Sequence, residues 1–379
     1  MRLFQAFQEK GLRQRERHFM SELYAHIISY DWHSAVLAFD IGQSGFAEIE
    51  ILNSGKVMKS EEAVGSGRFY LEDLPAAALI EAVFRSPAGE KQLSFTTLPE
   101  PVGDMLCEFA LIADPHISTK KENRKGRFFV ESAALADDVV KRCAELNIAY
   151  TIWPGDITNA GLEGEYILSE KVLRNLPQAP WLIPGNHDHN PELWSRYFGE
   201  RRWVRDLPGF GKVIGIDTSD KILHPEDAAV IERELNESGK VVIVSHYQLF
   251  ESPDINHVPA ASVLPNNIMD YAALLERVAN TPSLIYVGHQ NIMSVTPVNQ
   301  AVQINLPQPP QYPCGWIRVR CFANGIYYTF EPIASEVLRQ WSRRAGEAAA
   351  VFYEQSQWQA AYRRGRFPES GNFFQEKIN

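Results

Sequence analysis

The sequence predicts an α/β domain preceded by a small all-β sandwich. Three observations carry this. Between residues 34 and 98, short alternating runs (AVLAFD, AEIEIL, KVMKSE, RFYLEDL, LIEAVF, QLSFTTL) are cut by turn residues such as Asn53-Ser54-Gly55 and Gly65-Ser66-Gly67. That is the texture of several short strands. From Cys107 onward, apolar runs alternate with stretches of helical periodicity, as they do where strands are covered on both faces. The chain has 379 residues, too many for one ordinary core.

Residues 1–30 read as an N-terminal helix, because Phe19, Met20, Leu23, Tyr24, Ile27 and Ile28 recur at helical spacing. Packing onto the body is the expected role; a membrane-surface or dimerisation helix is the alternative. Residues 31–101 read as the sandwich, closed by a linker with Pro99, Pro101 and Gly103. The run 74–98 resembles the later strands of a fibronectin type III module.

Residues 105–333 read as the α/β domain. Its strand candidates are CEFALIAD, AYTIWPGD, WLIPGNHD, KVIGIDT, VVIVSHY and LIYVGHQN. Helices are expected over 130–146, 166–176, 226–237 and 269–278. Closing strands at 303–306, 316–322 and 326–330 flank a Pro-rich loop at 307–313. Residues 334–379 read as a polar helix to about 362 and a frayed tail.

With 45% hydrophobic and 22% charged residues, the chain is globular. Its 47 acids against 37 bases give a net charge of -10, which argues against a nucleic-acid coat. A small phosphorylated substrate stays open, since a few local cations hold one. The cysteines Cys107, Cys143, Cys314 and Cys321 have no CxxC spacing and read as buried thiols of a cytosolic protein. The first thirty residues have no apolar h-region and no long apolar run follows, so a cytoplasmic location and no membrane partner are expected. Any homo-oligomer would form through the terminal helices or the sandwich.

The chemistry collects at strand ends. Successive strands finish in Asp114-Pro115-His116, Gly155-Asp156, Gly185-Asn186-His187-Asp188, Ser245-His246 and Gly288-His289. Sites in α/β sheets lie at the carboxyl ends of strands. Carboxylate, imidazole and amide oxygen suit divalent Mn, Fe, Zn or Ni. No cysteine belongs to the set, which argues against a structural zinc site. Asp156 carries lone pairs on both oxygens and can bridge two ions.

These motifs, in this order, resemble the calcineurin-like metallophosphoesterase superfamily over about residues 109–332. The resemblance implies two central mixed β-sheets flanked by helices, and two divalent metal ions. It implies that Asp114, His116 and Asp156 hold one ion, and Asp156, Asn186, His246 and His289 the other. It further implies a metal-bridging hydroxide as nucleophile and His187 as general acid, with Asp188 supporting the loop.

Two departures follow. The family's last motif reads Gly-His-x-His, whereas this chain has Gly288-His289-Gln290-Asn291. Asn291 offers a neutral amide oxygen where an imidazole is usual, which weakens the first site or favours a harder metal such as Mn. Asn159 stands where many members place an aspartate that orients the histidine; it is expected to accept from His187 without adding charge. Plant-type purple acid phosphatases also carry a fibronectin-like segment, but they place a tyrosine ligand where this chain has Ile157-Thr158-Asn159, and they lack the histidine present here as His116.

The run 120–127 (KKENRKGR) follows the first motif. It reads as a solvated loop or as an attractor for a charged phosphate. The long loop 250–267 reads as a substrate wall, with Tyr247 and Gln248 in reach of the site. His189 and His257 are candidate rim residues. Trp341, Phe352, Tyr353, Trp358 and Tyr362 read as packing residues of the C-terminal helix.

The expected function is therefore metal-dependent hydrolysis of a phosphomonoester or phosphodiester. A nucleotide or cyclic-nucleotide phosphodiesterase is the alternative enzyme. A degenerate phospho-ligand-binding or scaffold protein is the alternative from another class.

Overall fold

The computed structural model describes residues 23–41, 46–87, 89–252, 266–291, 293–352 and 373–376. The chain divides into two units, Met1–Glu100 and Pro101–Asn379.

The first unit is all-β. Its strands are β1 (Tyr24–Tyr30), β2 (Ala35–Asp40), β3 (Phe46–Asn53), β4 (Lys56–Val64), β5 (Ser66–Leu71), β6 (Leu79–Ser86) and β7 (Gly89–Thr96). They form two antiparallel sheets, ordered β1-β2-β5 and β4-β3-β6-β7. Leu37 and Phe69 from one sheet and Ile49, Ile80 and Phe84 from the other fill the core between them. Asn53-Ser54-Gly55 makes the β3–β4 turn, with Ser54 and Gly55 both at positive φ.

Residues 24–30 are strand, not the helix expected over the first thirty residues. The reason is a bulge between Ile27 and Ser29, which resets the inward-outward alternation. Ala25 and Ile27 pack on the sandwich core while Ile28 is buried as well, so burial at adjacent positions blurs the alternation of the strand. Phe19 and Met20 lie outside the described residues.

The second unit is α/β. Strands β8 (Cys107–Leu111), β9 (Tyr150–Pro154), β10 (Trp181–Ile183), β11 (Trp203–Leu207), β12 (Gly211–Gly215), β13 (Val242–Ser245), β14 (Leu284–Val287), β15 (Ser294–Val298), β16 (Ala301–Asn305), β17 (Gly315–Phe322), β18 (Gly325–Pro332) and β19 (Phe373–Glu376) build two six-stranded mixed sheets. One runs β10-β9-β8-β17-β18-β19 and the other β11-β12-β13-β14-β16-β15.

Helices α1 (Ser132–Glu145), α2 (Glu163–Leu173) and α3 (Pro191–Tyr197) cover the first sheet through Val139, Tyr166 and Trp194. Helices α4 (Pro225–Ser238) and α5 (Ala272–Ala279) cover the second through Ile231 and Val278. Helix α6 (Glu336–Phe352) follows β18. The parallel pairs β8–β9, β9–β10, β12–β13 and β13–β14 align their carboxyl ends, which is what gathers the motifs.

The tail expected to be frayed contains β19, paired with β18. Most of loop 250–267, with His257, lies outside the described residues, as do His18, Tyr353, Trp358 and Tyr362. Among the described residues no helix is long and apolar enough to cross a membrane.

Candidate metal centre

Two loops are laced together before any ligand is placed. Beyond β8 and β9, the amides of Ile112, Asp114, His116 and Ile117 donate to the carbonyls of Ile152, Gly155, Asp156 and Ile157 at 3.0–3.2 Å. This fixes Asp114, His116 and Asp156 against one another. Glu165, buried at the start of α2, accepts from the amides of Thr119 and Ala160 and ties both loops to the helix.

The backbone is strained where the candidates sit. Asp114, His116, Asp156, His289 and Asn291 all have φ between 43° and 63°, a region that ordinary side chains rarely enter. Such strain persists only where the surroundings over-determine it. At Gly155 a Cβ would lie 2.4 Å from His246 Nδ1, and at Gly185 one would lie 2.3 Å from Asp156 Oδ1. The glycines before Asp156 and Asn186 are therefore requirements of close approach.

Asp156 lies between two imidazoles. His116 Nε2 is 3.5 Å from its Oδ2 and His246 Nε2 is 3.4 Å from its Oδ1. His246 Nδ1 donates to the Pro154 carbonyl at 2.9 Å, which leaves the lone pair on Nε2. That lone pair faces Asn186 Oδ1 at 3.0 Å as well as Asp156. Three acceptors thus converge; a cation held between them would relieve the repulsion, as would a proton on Nε2 or a turned Asn186 amide.

Two triads of candidate ligand atoms share Asp156: His116, Asp156 and His187, and Asp156, His246 and His289, each within 4.8 Å. Asp114 stands beside them, with Oδ1 4.0 Å from His116 Nε2. Both its oxygens accept from the His289 amide at 3.0 Å.

Burial pushes the Asp114 carboxyl well above the usual carboxylate range, and the Asp156 charge adds to this. Burial, then the Arg127 cation, hold His116 well below an ordinary imidazole. Burial, then His246, push His289 down to about 2. The neutral imidazoles of His116 and His289 beside the Asp114 carboxyl, which resists ionisation, are donors that a divalent cation satisfies.

His187 stands apart in role. Its Nδ1 is bonded to the main-chain carbonyl of Asn159, and its ring meets His116 edge-on at 4.7 Å. The expectation that the Asn159 side chain orients it is corrected. A backbone carbonyl does so.

Asp188 is fully buried. It accepts from the amides of Ile157, Thr158 and Gly185 and from the Thr158 hydroxyl at 2.7–3.0 Å. Burial, then the Asp156 charge, push it up to about 7.

Asn291 donates Nδ2 to the His289 carbonyl at 3.0 Å, while its buried Oδ1 has no hydrogen-bond partner among the described residues. His189 is exposed beside Gly161. Tyr247 packs on the His289 ring with centroids 4.2 Å apart, and its buried hydroxyl has no partner. Burial pushes that hydroxyl's pKa up.

Arg127 is the residue that reading by motif left undistinguished within the run 120–127. Its Nη1 lies 3.3 Å from His116 Nε2.

Residues 108–293 match the calcineurin-like phosphoesterase family. A probable glycerophosphodiester phosphodiesterase GpdQ of Arcobacter nitrofigilis is 33% identical over 113 residues, 25% of this chain and 40% of that one. This chain therefore spans well under half the length of that relative. A glycerophosphodiester phosphodiesterase GpdQ of Enterobacter lignolyticus is 27% identical over 220 residues, 52% of this chain and 76% of that one. Among solved structures, a dimetal phosphatase from Danio rerio is 12% identical, with a TM-score of 0.47, covering 61% of this chain and 98% of its own. The chain carries a calcineurin-like phosphoesterase domain over residues 108–293.

Proposed function

We propose that this chain hydrolyses a phosphoester with two divalent cations. The observation that carries this is the convergence of His246 Nε2, Asn186 Oδ1 and Asp156 Oδ1 while His246 Nδ1–H is committed to Pro154. The orphaned Asn291 oxygen fits the same reading. Asp114, His116 and Asp156 would hold one cation, and Asp156, Asn186, His246 and His289 the other, with Asn291 beside the first. Such cations lower the pKa of water and neutralise charge on a phosphoryl group.

The chain's own residues do the rest. Asp156 holds the two sets of ligands together. Its Oδ1 also accepts from the His187 amide at 2.8 Å, which ties the histidine's backbone to the shared carboxylate. With Nδ1–H given to Asn159, a protonated His187 keeps Nε2–H free for the leaving-group oxygen. Asp188 keeps the Gly185–Asp188 turn in place.

A phosphodiester is the substrate class that the names of the two relatives favour. A phosphomonoester is the second reading. The N-terminal sheets, ordered β1-β2-β5 and β4-β3-β6-β7, support a fibronectin III-like module.

Manganese content per chain, with turnover of bis-p-nitrophenyl phosphate and p-nitrophenyl phosphate on the same sample, tests the proposal. Faster diester turnover supports the first reading and faster monoester turnover the second. Bound metal with neither turnover would favour a phospho-ligand-binding protein.

A further inference from the structure

The run 120–127 carries five cationic side chains, and the fold treats them differently. Lys121, Arg124 and Lys125 are exposed. Lys120 Nζ sits 4.1 Å over the Phe129 ring. Arg127 is half-buried and turns to the centre, where Nη1 reaches His116 Nε2 at 3.3 Å and Nε donates to Gln311 Oε1 at 3.1 Å. Its charge bears on Asp114, His116 and His289 alike.

This placement is built. The turn closes on itself, with Arg124 and Arg127 exchanging main-chain hydrogen bonds at 2.9 and 3.1 Å. The Phe128 amide donates to Pro310, and Gln311 takes a second hydrogen bond from Gln308 at 3.0 Å. Helix α6 braces the turn from behind. The Ser342 hydroxyl donates to the Gly126 carbonyl and accepts from the Tyr312 amide. Gly126, at φ +80°, is pressed so close that a Cβ would lie 2.6 Å from the Ser342 carbonyl and 2.8 Å from the Gly346 amide. Trp341 packs on Phe128. These anchors, from 308 to 346, lie beyond the family match.

We propose that Arg127 binds the phosphoryl oxygens of the substrate, held at the centre by Gln311 and helix α6. The proposal rests on the phosphoester reading above. A guanidinium is a planar fork of five donors that matches phosphate oxygens. Spending one N–H on an imidazole uses little of that capacity. His116 Nε2 must be the acceptor here, since arginine only donates. Once His116 turns that lone pair to a cation, the Arg127 N–H is released toward an anion beside it. The residue is a substrate-binding group, and Ser342 and Gln311 are positioning residues.

The test uses the full chain reconstituted with manganese, with inorganic phosphate as the probe. Metal content, the phosphate Kd by calorimetry, and KM and kcat are measured for Arg127→Gln, Arg127→Lys and Ser342→Ala. Arg127→Gln is expected to keep its metal and weaken phosphate by about 10–100-fold, as loss of a charged hydrogen bond implies. Arg127→Lys should recover part of this, and Ser342→Ala should raise KM more than it lowers kcat. A phosphate Kd within twofold of wild type in Arg127→Gln would overturn the proposal. So would loss of metal in that variant, which would place Arg127 in the service of the cation. If wild type hydrolyses neither ester, the hydrolase reading fails, and the phosphate Kd still decides the role of Arg127.

Discussion

Replacing Asp188 with asparagine separates a supporting carboxylate from a ligand. Oδ2 accepts from the amides of Ile157 and Gly185; Oδ1 accepts from the Thr158 amide and hydroxyl. An asparagine must aim its NH2 at one pair. Facing Ile157 and Gly185 would orphan two buried donors. Facing Thr158 orphans only one, because the hydroxyl can turn and accept. The second arrangement wins.

The cost is then one unsatisfied buried N–H, about 1–3 kcal/mol. Losing the charge does not add to this: burial, then the Asp156 charge, push Asp188 up to about 7, so both outweigh the hydrogen bonds and already disfavour its ionised form. For a unit of this size that corresponds to a melting point lower by roughly 3–10 °C. Thermal melts monitored by circular dichroism, with metal content read in parallel, give the answer. An unchanged melting point with loss of metal would refute the reasoning and make Asp188 a ligand.

Other outcomes follow from the same geometry. His187→Ala should keep its metal and lose about 10²–10⁴ in kcat; metal loss would make it a ligand. Asn159→Ala should lower kcat only slightly, since the backbone carbonyl orients His187; a loss matching His187→Ala would contradict that. Asn291→His should tighten binding of the weaker metal, read by chelator competition, and unchanged affinity would place Asn291 outside the first site. Burial holds Asp114 protonated above the usual carboxylate range, whereas His289 is already neutral down to about 2. Cation binding should therefore displace a carboxyl proton, and manganese affinity should fall as pH falls. Calorimetry in buffers of different ionisation enthalpy would show that release, and its absence would contradict the account.

Much of this was legible because strand ends in α/β sheets are marked by apolar runs that stop at polar residues. Asp114, Asp156, Asn186, His246 and His289 all follow such runs, and the structure gathers them. Helix α3 was missed because its seven residues, behind Asn190 and Pro191, are too few to show a period. Strand β1 was misread because a bulge and the burial of adjacent residues obscured its alternation. Arg127 was hidden among exposed cations. What singles it out is its own contact with Gln311, 184 positions away, and the hold of Ser342 on the neighbouring Gly126, and no local pattern records either. The role of Asn159 was misassigned because a sequence displays side chains, whereas its carbonyl makes the contact.

The central claim is that Asp156 unites two cation sites used for phosphoester hydrolysis. Metal content after manganese reconstitution, with diester turnover on the same sample, compares wild type and Asp156→Asn most directly. About two metals per chain with turnover are expected in wild type, and loss of both in the variant. Full turnover by Asp156→Asn would contradict it.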